Sequence, residues 1–394
     1  MQKLAPLMVG VLAAWLSIAH AAEPDYIIQS NAAPLNPLVP QLQVAPVAAT
    51  VPAPLAQAAP AVTAVTAPAP IPAPAAQVAP QSAPIPVNGN RLRIALVLPT
   101  ESRTLGEAAQ VVRAGFEAAA KVDGNAEVVY VDEQESNVVD RYRAAVASGV
   151  KVVVGPLTRQ GISAIAPYVT VPTLALNALE PGLALNPKLL SLSLTVEGEA
   201  RQMARLMHED GSASPLVVSA SDVLSRRLTL AFVDEWKKAT GAAPRVVDWP
   251  LSAPVTEVLG MSDAVFVAME PADAAALKPA LPGTTVVYAT SQLNTHKPDP
   301  ALAGIRFIDM PWFLMTEQDA VRRYPRPTSA MTLQTERLYA LGIDAYRLAL
   351  QMAAGKISPF SLKLHGVTGD LRLGRDRQFE RILPLAVMMP DAAP

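Results

Sequence analysis

The chain has 394 residues, 51% of them hydrophobic, enough for about two domains with a sizeable buried core, so disorder throughout is excluded. Lys and Arg total 32 against 34 for Asp and Glu, and the net charge of -2 provides no field to hold a polyanion; no nucleic acid partner is expected. Cysteine is absent, which excludes disulfides, thiolate metal ligands, cysteine nucleophiles and, within this sequence, a lipid-modified cysteine.

Lys3 precedes an apolar run over residues 7–18, and Ala19-His20-Ala21 offers the small-x-small pattern of signal-peptidase substrates. Residues 1–21 therefore read as a cleaved export signal. The run is shorter than the ~20 residues that cross a bilayer, which favours cleavage over a retained anchor. Residues 22–90 read as a disordered Pro/Ala-rich linker, because from Tyr26 to Asn90 no residue is charged and units such as Ala67-Pro68-Ala69-Pro70 recur. Proline removes backbone donors and favours polyproline II, so ~65 residues at ~3.1 Å each would reach on the order of 200 Å.

From residue 91 charge returns, and short apolar runs alternate with helical periodicity, the pattern of strand-helix-strand units. The first series is a strand at 91–98, a helix opened by a Thr104/Glu107 capping box, a strand at 127–131, a helix at 138–147, a strand at 150–154, a helix at 158–169 and a strand at 172–176. Ala108, Val112, Gly115, Phe116 and Ala119 share the buried face of the first helix. Continuous runs such as Val152-Val153-Val154 suit a parallel sheet covered on both faces. After a segment at 189–195 a second series follows: helix 199–208, strand 216–219, helix 224–239, strands 245–248 and 264–269, helix 272–281 and strand 285–289. A strand at 305–308, a helix of about 25 residues from Ala330 and a hairpin of 366–373 with 379–387 close the chain. On that helix the stripe Leu338, Leu341, Ala345, Leu348 and Met352 is buried. The expected fold class is α/β with two doubly wound, Rossmann-like lobes. Lobe one covers about 91–195, lobe two about 196–300, and crossing and C-terminal segments about 301–392, with a ligand cleft between the lobes at the carboxyl ends of the strands.

Only His208, His296 and His365 follow the export signal, far apart and without a His-Glu-x-x-His stretch, so neither a metal nor another cofactor is expected. No Gly-x-Ser-x-Gly elbow, phosphate loop or dinucleotide fingerprint occurs, and no catalytic residue is nominated. Asp132, Glu133 and Glu135 read as a solvated acidic turn. The loops at the strand ends supply Thr100, Ser102, Gly155, Thr158, Asn177, Ser221, Thr290 and Ser291. Their hydroxyls, amide or backbone donors would orient a small polar ligand, or else serve as caps and turns. Gly155-Pro156 ahead of a helix leaves N–H groups open at a positive dipole end, which suits a carboxylate; Asp132 and Glu270 are the candidate acids for an ammonium group. For a protein partner the candidates are Arg322, Arg323, Tyr324 and Arg326 on a basic, proline-stiffened loop, while Trp312-Phe313 reads as buried.

The series Arg93-Ile94-Ala95-Leu96-Val97-Leu98-Pro99, Val154-Gly155-Pro156-Leu157 and Val171-Pro172-Thr173-Leu174-Ala175-Leu176-Asn177 resembles the type I periplasmic binding protein fold. Tyr288-Ala289-Thr290-Ser291, Asp309-Met310-Pro311-Trp312, Leu341-Gly342-Ile343-Asp344-Ala345-Tyr346 and Gly366-Val367-Thr368-Gly369-Asp370-Leu371 resemble, within a likeness over about 91–390, the C-terminal domain of the penicillin-binding protein activator family LpoA. That resemblance implies an exported, non-catalytic envelope protein that binds a class A penicillin-binding protein, the bifunctional peptidoglycan synthase, and stimulates peptidoglycan synthesis. Enteric members of the family carry a lipid-modified cysteine and a helical-repeat N-terminal domain that this sequence lacks, so the expected location is the periplasm, and the outer-membrane attachment that the family implies stays open. The residues alone leave a second reading open, a periplasmic receptor for an amino acid or related small molecule.

Overall fold

The computed structural model describes residues 91–390 apart from residues 125, 135, 185, 298 and 358–363; the export signal, the linker and Glu135 lie outside the described residues. Apolar, β-branched runs pair in parallel in two separate sheets. The first sheet has eight strands in the order β11-β12-β13-β5-β4-β3-β1-β2. They are β1 (Leu92–Leu98), β2 (Ala126–Asp132), β3 (Val152–Val154), β4 (Thr173–Ala175), β5 (Leu189–Leu192), β11 (Leu364–His365), β12 (Asp370–Leu373) and β13 (Gln378–Ile382). The second has six in the order β14-β10-β9-β8-β6-β7, namely β6 (Leu216–Ser219), β7 (Arg245–Asp248), β8 (Ala264–Ala268), β9 (Val286–Ala289), β10 (Arg306–Ile308) and β14 (Leu385–Val387). The central strands β1, β3, β6 and β8 are buried almost throughout because helices cover both faces. This is the two-lobed α/β architecture that the alternating pattern demands.

Helices α1 (Gly106–Asp123), α2 (Val138–Ala147) and α3 (Arg159–Ile165) flank the first sheet. α4 (Val196–Glu209), α5 (Val223–Thr240), α6 (Val255–Leu259) and α7 (Pro271–Leu277) flank the second, and short helices α8 (Pro311–Leu314) and α9 (Asp319–Arg322) lead to α10 (Leu333–Ala353), which returns to lobe one. The expected stripe of α10 is buried, and so are Tyr339, Ala340, Ile343, Tyr346 and Ala349, so the helix is enclosed around most of its circumference. It crosses α1 backbone to backbone: a β-carbon at Gly115 would run into the Tyr339 carbonyl, and one at Gly342 into the Val112 carbonyl.

Two expectations of local structure are corrected. α1 begins after Leu105, which makes no side-chain cap, and not at a Thr104/Glu107 capping box. The chain instead closes a turn in which Gly106 N–H donates to the Ser102 carbonyl at 2.9 Å and Leu105 N–H to Ser102 Oγ at 3.3 Å, so Ser102 serves the start of α1. The C-terminal hairpin is also divided. β12 and β13 pair antiparallel in the first sheet, whereas the stretch beyond Pro384 crosses to the second and pairs as β14 with β10. Proline has no N–H for the ladder, so the strand breaks there and changes partner. The chain thus passes between lobes after β5, between β10 and α10, and between β13 and β14.

Candidate functional site

At the carboxyl ends of β1, β2 and β3 lies a groove of about 690 Å³, lined by Glu101, Ser102, Asp132, Glu133, Gln134 and Thr158 among others. Of the lobe-one candidates Ser102 and Thr158 line it, whereas Thr100, Gly155 and Asn177 do not, and the polar groups around it are engaged. Thr100 Oγ1 and Glu101 N–H both donate to Asp132 Oδ1, at 3.0 and 3.1 Å. Glu133 is only 5% exposed, which corrects the reading of a solvated acidic turn. Its carboxylate accepts from Leu157 N–H at 2.8 Å, from Thr158 N–H at 3.1 Å and from the Thr158 hydroxyl. Those are the donors that the Gly155-Pro156 loop was expected to offer an incoming carboxylate, so the chain supplies that carboxylate itself.

The loop is shaped for this contact. Gly155 has a φ of 98°, and a β-carbon there would strike the Val97 carbonyl. At Gly161 a β-carbon would strike Glu133 Oε1. Thr158 caps α3 by accepting from Gly161 N–H at 2.9 Å while its hydroxyl donates to Glu133. Asn177 is buried, bonded to the Leu157 carbonyl at 3.1 Å and to Ala178 N–H at 2.9 Å. Replacing Glu133 with Gln places an amide NH2 among these N–H donors. The expected loss is about 2 kcal/mol of unfolding free energy, read by urea denaturation, because a hydrogen bond to a charged acceptor exceeds one to a neutral amide. A change under 0.5 kcal/mol would mean the carboxylate is dispensable.

The lobe-two candidates do not line that groove. Ser221 is exposed, whereas Thr290 and Ser291 are buried where the lobes meet. There, four charged side chains that the sequence reading did not nominate lie together: Glu199 on α4, Asp309 after β10, Arg337 on α10 and Arg381 on β13, none more than 9% exposed. Arg381 Nη2 lies 3.4 Å from Glu199 Oε1, and Arg337 Nη2 lies 2.8 Å from Asp309 Oδ2. Ser291 joins the pairs, its N–H donating to Glu199 Oε2 at 3.0 Å and its carbonyl accepting from Arg337 at 3.3 Å. Burial pushes the Glu199 carboxyl above its ordinary value, against the pull of Arg381 and helped by the charge of Asp309. Burial likewise lowers Arg381.

The motifs that carry the resemblance converge beside this cluster. Asp344 on α10 is fully buried and accepts from Val367 N–H at 3.1 Å, Thr368 N–H at 2.8 Å and the Thr368 hydroxyl at 2.7 Å. Trp312 N–H donates to the Val367 carbonyl at 3.0 Å. Further along, Tyr288 OH donates to Asp210 at 2.6 Å beside Arg306; burial together with that bond pushes its hydroxyl up to about 12. The expected partner loop is less free than its composition suggests. Tyr324 is 4% exposed, with its hydroxyl donating to Asp123 at 2.8 Å, a correction to its reading as a surface contact. Arg323 pairs with Asp123, and Arg326 lies over the Trp312 ring at 3.9 Å while donating to the Trp312 carbonyl at 2.7 Å. Arg322 projects outward and, among the described residues, pairs with Asp319 on its own helix. Among the described residues no group of three or more His, Cys, Asp or Glu is placed to hold a metal, and no helix is long and apolar enough to cross a membrane.

Residues 15–261 and 260–386 match the family described as "LppC putative lipoprotein". The chain belongs to the LppC family. Among curated relatives of this LppC member, the penicillin-binding protein activator LpoA of Haemophilus influenzae is 29% identical over 311 residues, which is 75% of this chain and 53% of the relative. The chain spans about half the length of the curated relatives it matches. Solved structures share the LppC chain's fold. The C-domain of Haemophilus influenzae LpoA, described as a regulator of PBP1A, superposes with a TM-score of 0.65 at 26% identity over 75% of this chain and 97% of its own. A Chromobacterium violaceum protein described as a "putative branched-chain amino acid ABC transporter" superposes with a TM-score of 0.72 at 58% identity over 76% of this chain and all of its own.

Proposed function

We propose that this chain is a non-catalytic periplasmic activator that docks on a class A penicillin-binding protein and raises its synthesis of peptidoglycan. The observation that carries the reading is Glu133. The backbone donors at the carboxyl ends of the lobe-one strands would suit the carboxylate of an amino acid, and here those of Leu157 and Thr158 already hold the chain's own buried carboxylate. Kinship to activators, together with a ligand position filled from within, supports action by contact. Its mechanism is preferential affinity for the active conformation of the synthase, since a partner shifts a population only by binding one state better. Arg322 and Arg323, with exposed side chains at the end of α9, are the contacts offered to the partner, and the export signal at residues 1–21 delivers the chain to the periplasm.

The Chromobacterium violaceum protein's description favours a second reading, a receptor for an amino acid or related small molecule. The two readings separate in one pair of binding experiments. Immobilised class A synthase should retain the purified chain, and a thermal-shift panel of amino acids and muropeptides should leave its melting temperature unmoved. A clear rise with one amino acid and no retention would establish the receptor instead.

A further inference from the structure

We propose that the buried cluster of Glu199, Arg381, Arg337 and Asp309, with Gln202, is a latch that holds the two lobes in one fixed relative orientation. Lobes of this kind move about the segments that join them, because a few residues there absorb the change in backbone angles. Here all three joining segments are held by buried side chains. At the first, Arg381 Nε donates to the Ser193 carbonyl at 3.1 Å. At the second, Asp309 is fixed by Arg337 at 2.8 Å, by Asn294 at 2.8 Å and by Met310 N–H at 2.7 Å. At the third, the Gln202 side chain clamps Leu383 from both sides, donating to its carbonyl at 2.7 Å and accepting from its N–H at 2.9 Å.

The partners come from both lobes. Glu199 and Gln202 belong to α4 and Asp309 follows β10, whereas Arg337 lies on α10 and Arg381 on β13. A rotation of one lobe would pull both ion pairs apart where their side chains are almost wholly buried and leave each charge without its counter-charge. Stability alone does not account for such a cluster. Burial works against Glu199 and Arg381, and Arg337 Nε has no hydrogen-bond partner among the described residues, so an apolar packing would hold the lobes at lower cost. Directional bonds do what apolar packing does not, which is to select one orientation among many of similar contact area. One apolar cluster also runs on from β1 and α10 into α4, α5 and β8, giving the latch a continuous base.

The latch goes beyond docking on a synthase and does not depend on it, so its test needs no partner. The chain has no cysteine, and an Arg141→Cys/Ala272→Cys variant therefore carries spin labels at two exposed positions, one on α2 and one on α7. Pulsed electron spectroscopy should give a single narrow distance distribution, unchanged by added amino acids. Adding Glu199→Met with Arg381→Met, which removes both charges and keeps apolar bulk, should widen that distribution about twofold while the far-ultraviolet dichroism stays native. Gln202→Ala should widen it to a lesser degree and serves if the double variant fails to fold. A broad or two-peaked distribution in the parent chain, or a folded variant with the parent's narrow one, would overturn the latch.

Discussion

Replacing Asp344 with alanine is expected to cost about 3–5 kcal/mol of unfolding free energy, read as a fall in the urea midpoint, since removing one member of a buried charged constellation strands the others. Asp344 is inaccessible to water and faces two backbone N–H groups, one hydroxyl and the Arg347 guanidinium at 2.9 Å. Alanine would leave the N–H groups of Val367 and Thr368 buried and unmet. The turn they belong to is drawn tight around the carboxylate, for a β-carbon at Gly366 would sit 2.5 Å from Asp344 Oδ2. The same turn accepts Trp312 N–H through the Val367 carbonyl, so the loss should reach the crossing segment as well. Asp319→Ala, at an exposed carboxylate, is the control and should change stability by less than about 0.5 kcal/mol.

Gly342→Ala should be nearly as damaging, by about 3 kcal/mol, because the added methyl meets backbone and not a side chain that can swing away. It would fall on the Val112 carbonyl and 2.7 Å from Phe116 N, at the point where α10 lies on α1. Gly115→Ala, on the opposite helix, would meet the Tyr339 carbonyl, and the two substitutions should be strongly non-additive because either one alone forces the helices apart. Gly283→Ala has open space around it and should be close to neutral. Urea denaturation of the three variants beside the parent checks the set; a neutral Gly342→Ala would mean that the helices do not approach as described.

Much of the fold was legible because it rests on local signals. Val152-Val153-Val154 reads as a covered parallel strand and forms β3, buried along its whole length. The divided hairpin was not legible, because nothing local tells whether the strand after Pro384 stays in its sheet or crosses to the other; that depends on the open edge of β10. The candidate site was less readable still. Glu133 looked like one of three carboxylates on a turn, and only the sheet order β2-β1-β3 brings it against the Thr158 loop. Glu199, Asp309, Arg337 and Arg381 are scattered over nearly two hundred residues, and no spacing rule joins them; long-range pairing alone reveals such a cluster. Asp344 and Gly366 stood within recognisable stretches, yet their contact is equally non-local. The arginine loop misled for a different reason: its composition suits an interface, but Tyr324 and Arg326 find partners within their own chain.

The most direct measurement is the rate at which a purified class A penicillin-binding protein polymerises glycan strands from its lipid-linked precursor, with and without the purified chain. A rate that rises and saturates with added chain, and that persists in the folded Glu133→Gln variant, is the expected result. An unaltered rate at saturating chain, with no complex between the two proteins, would contradict it.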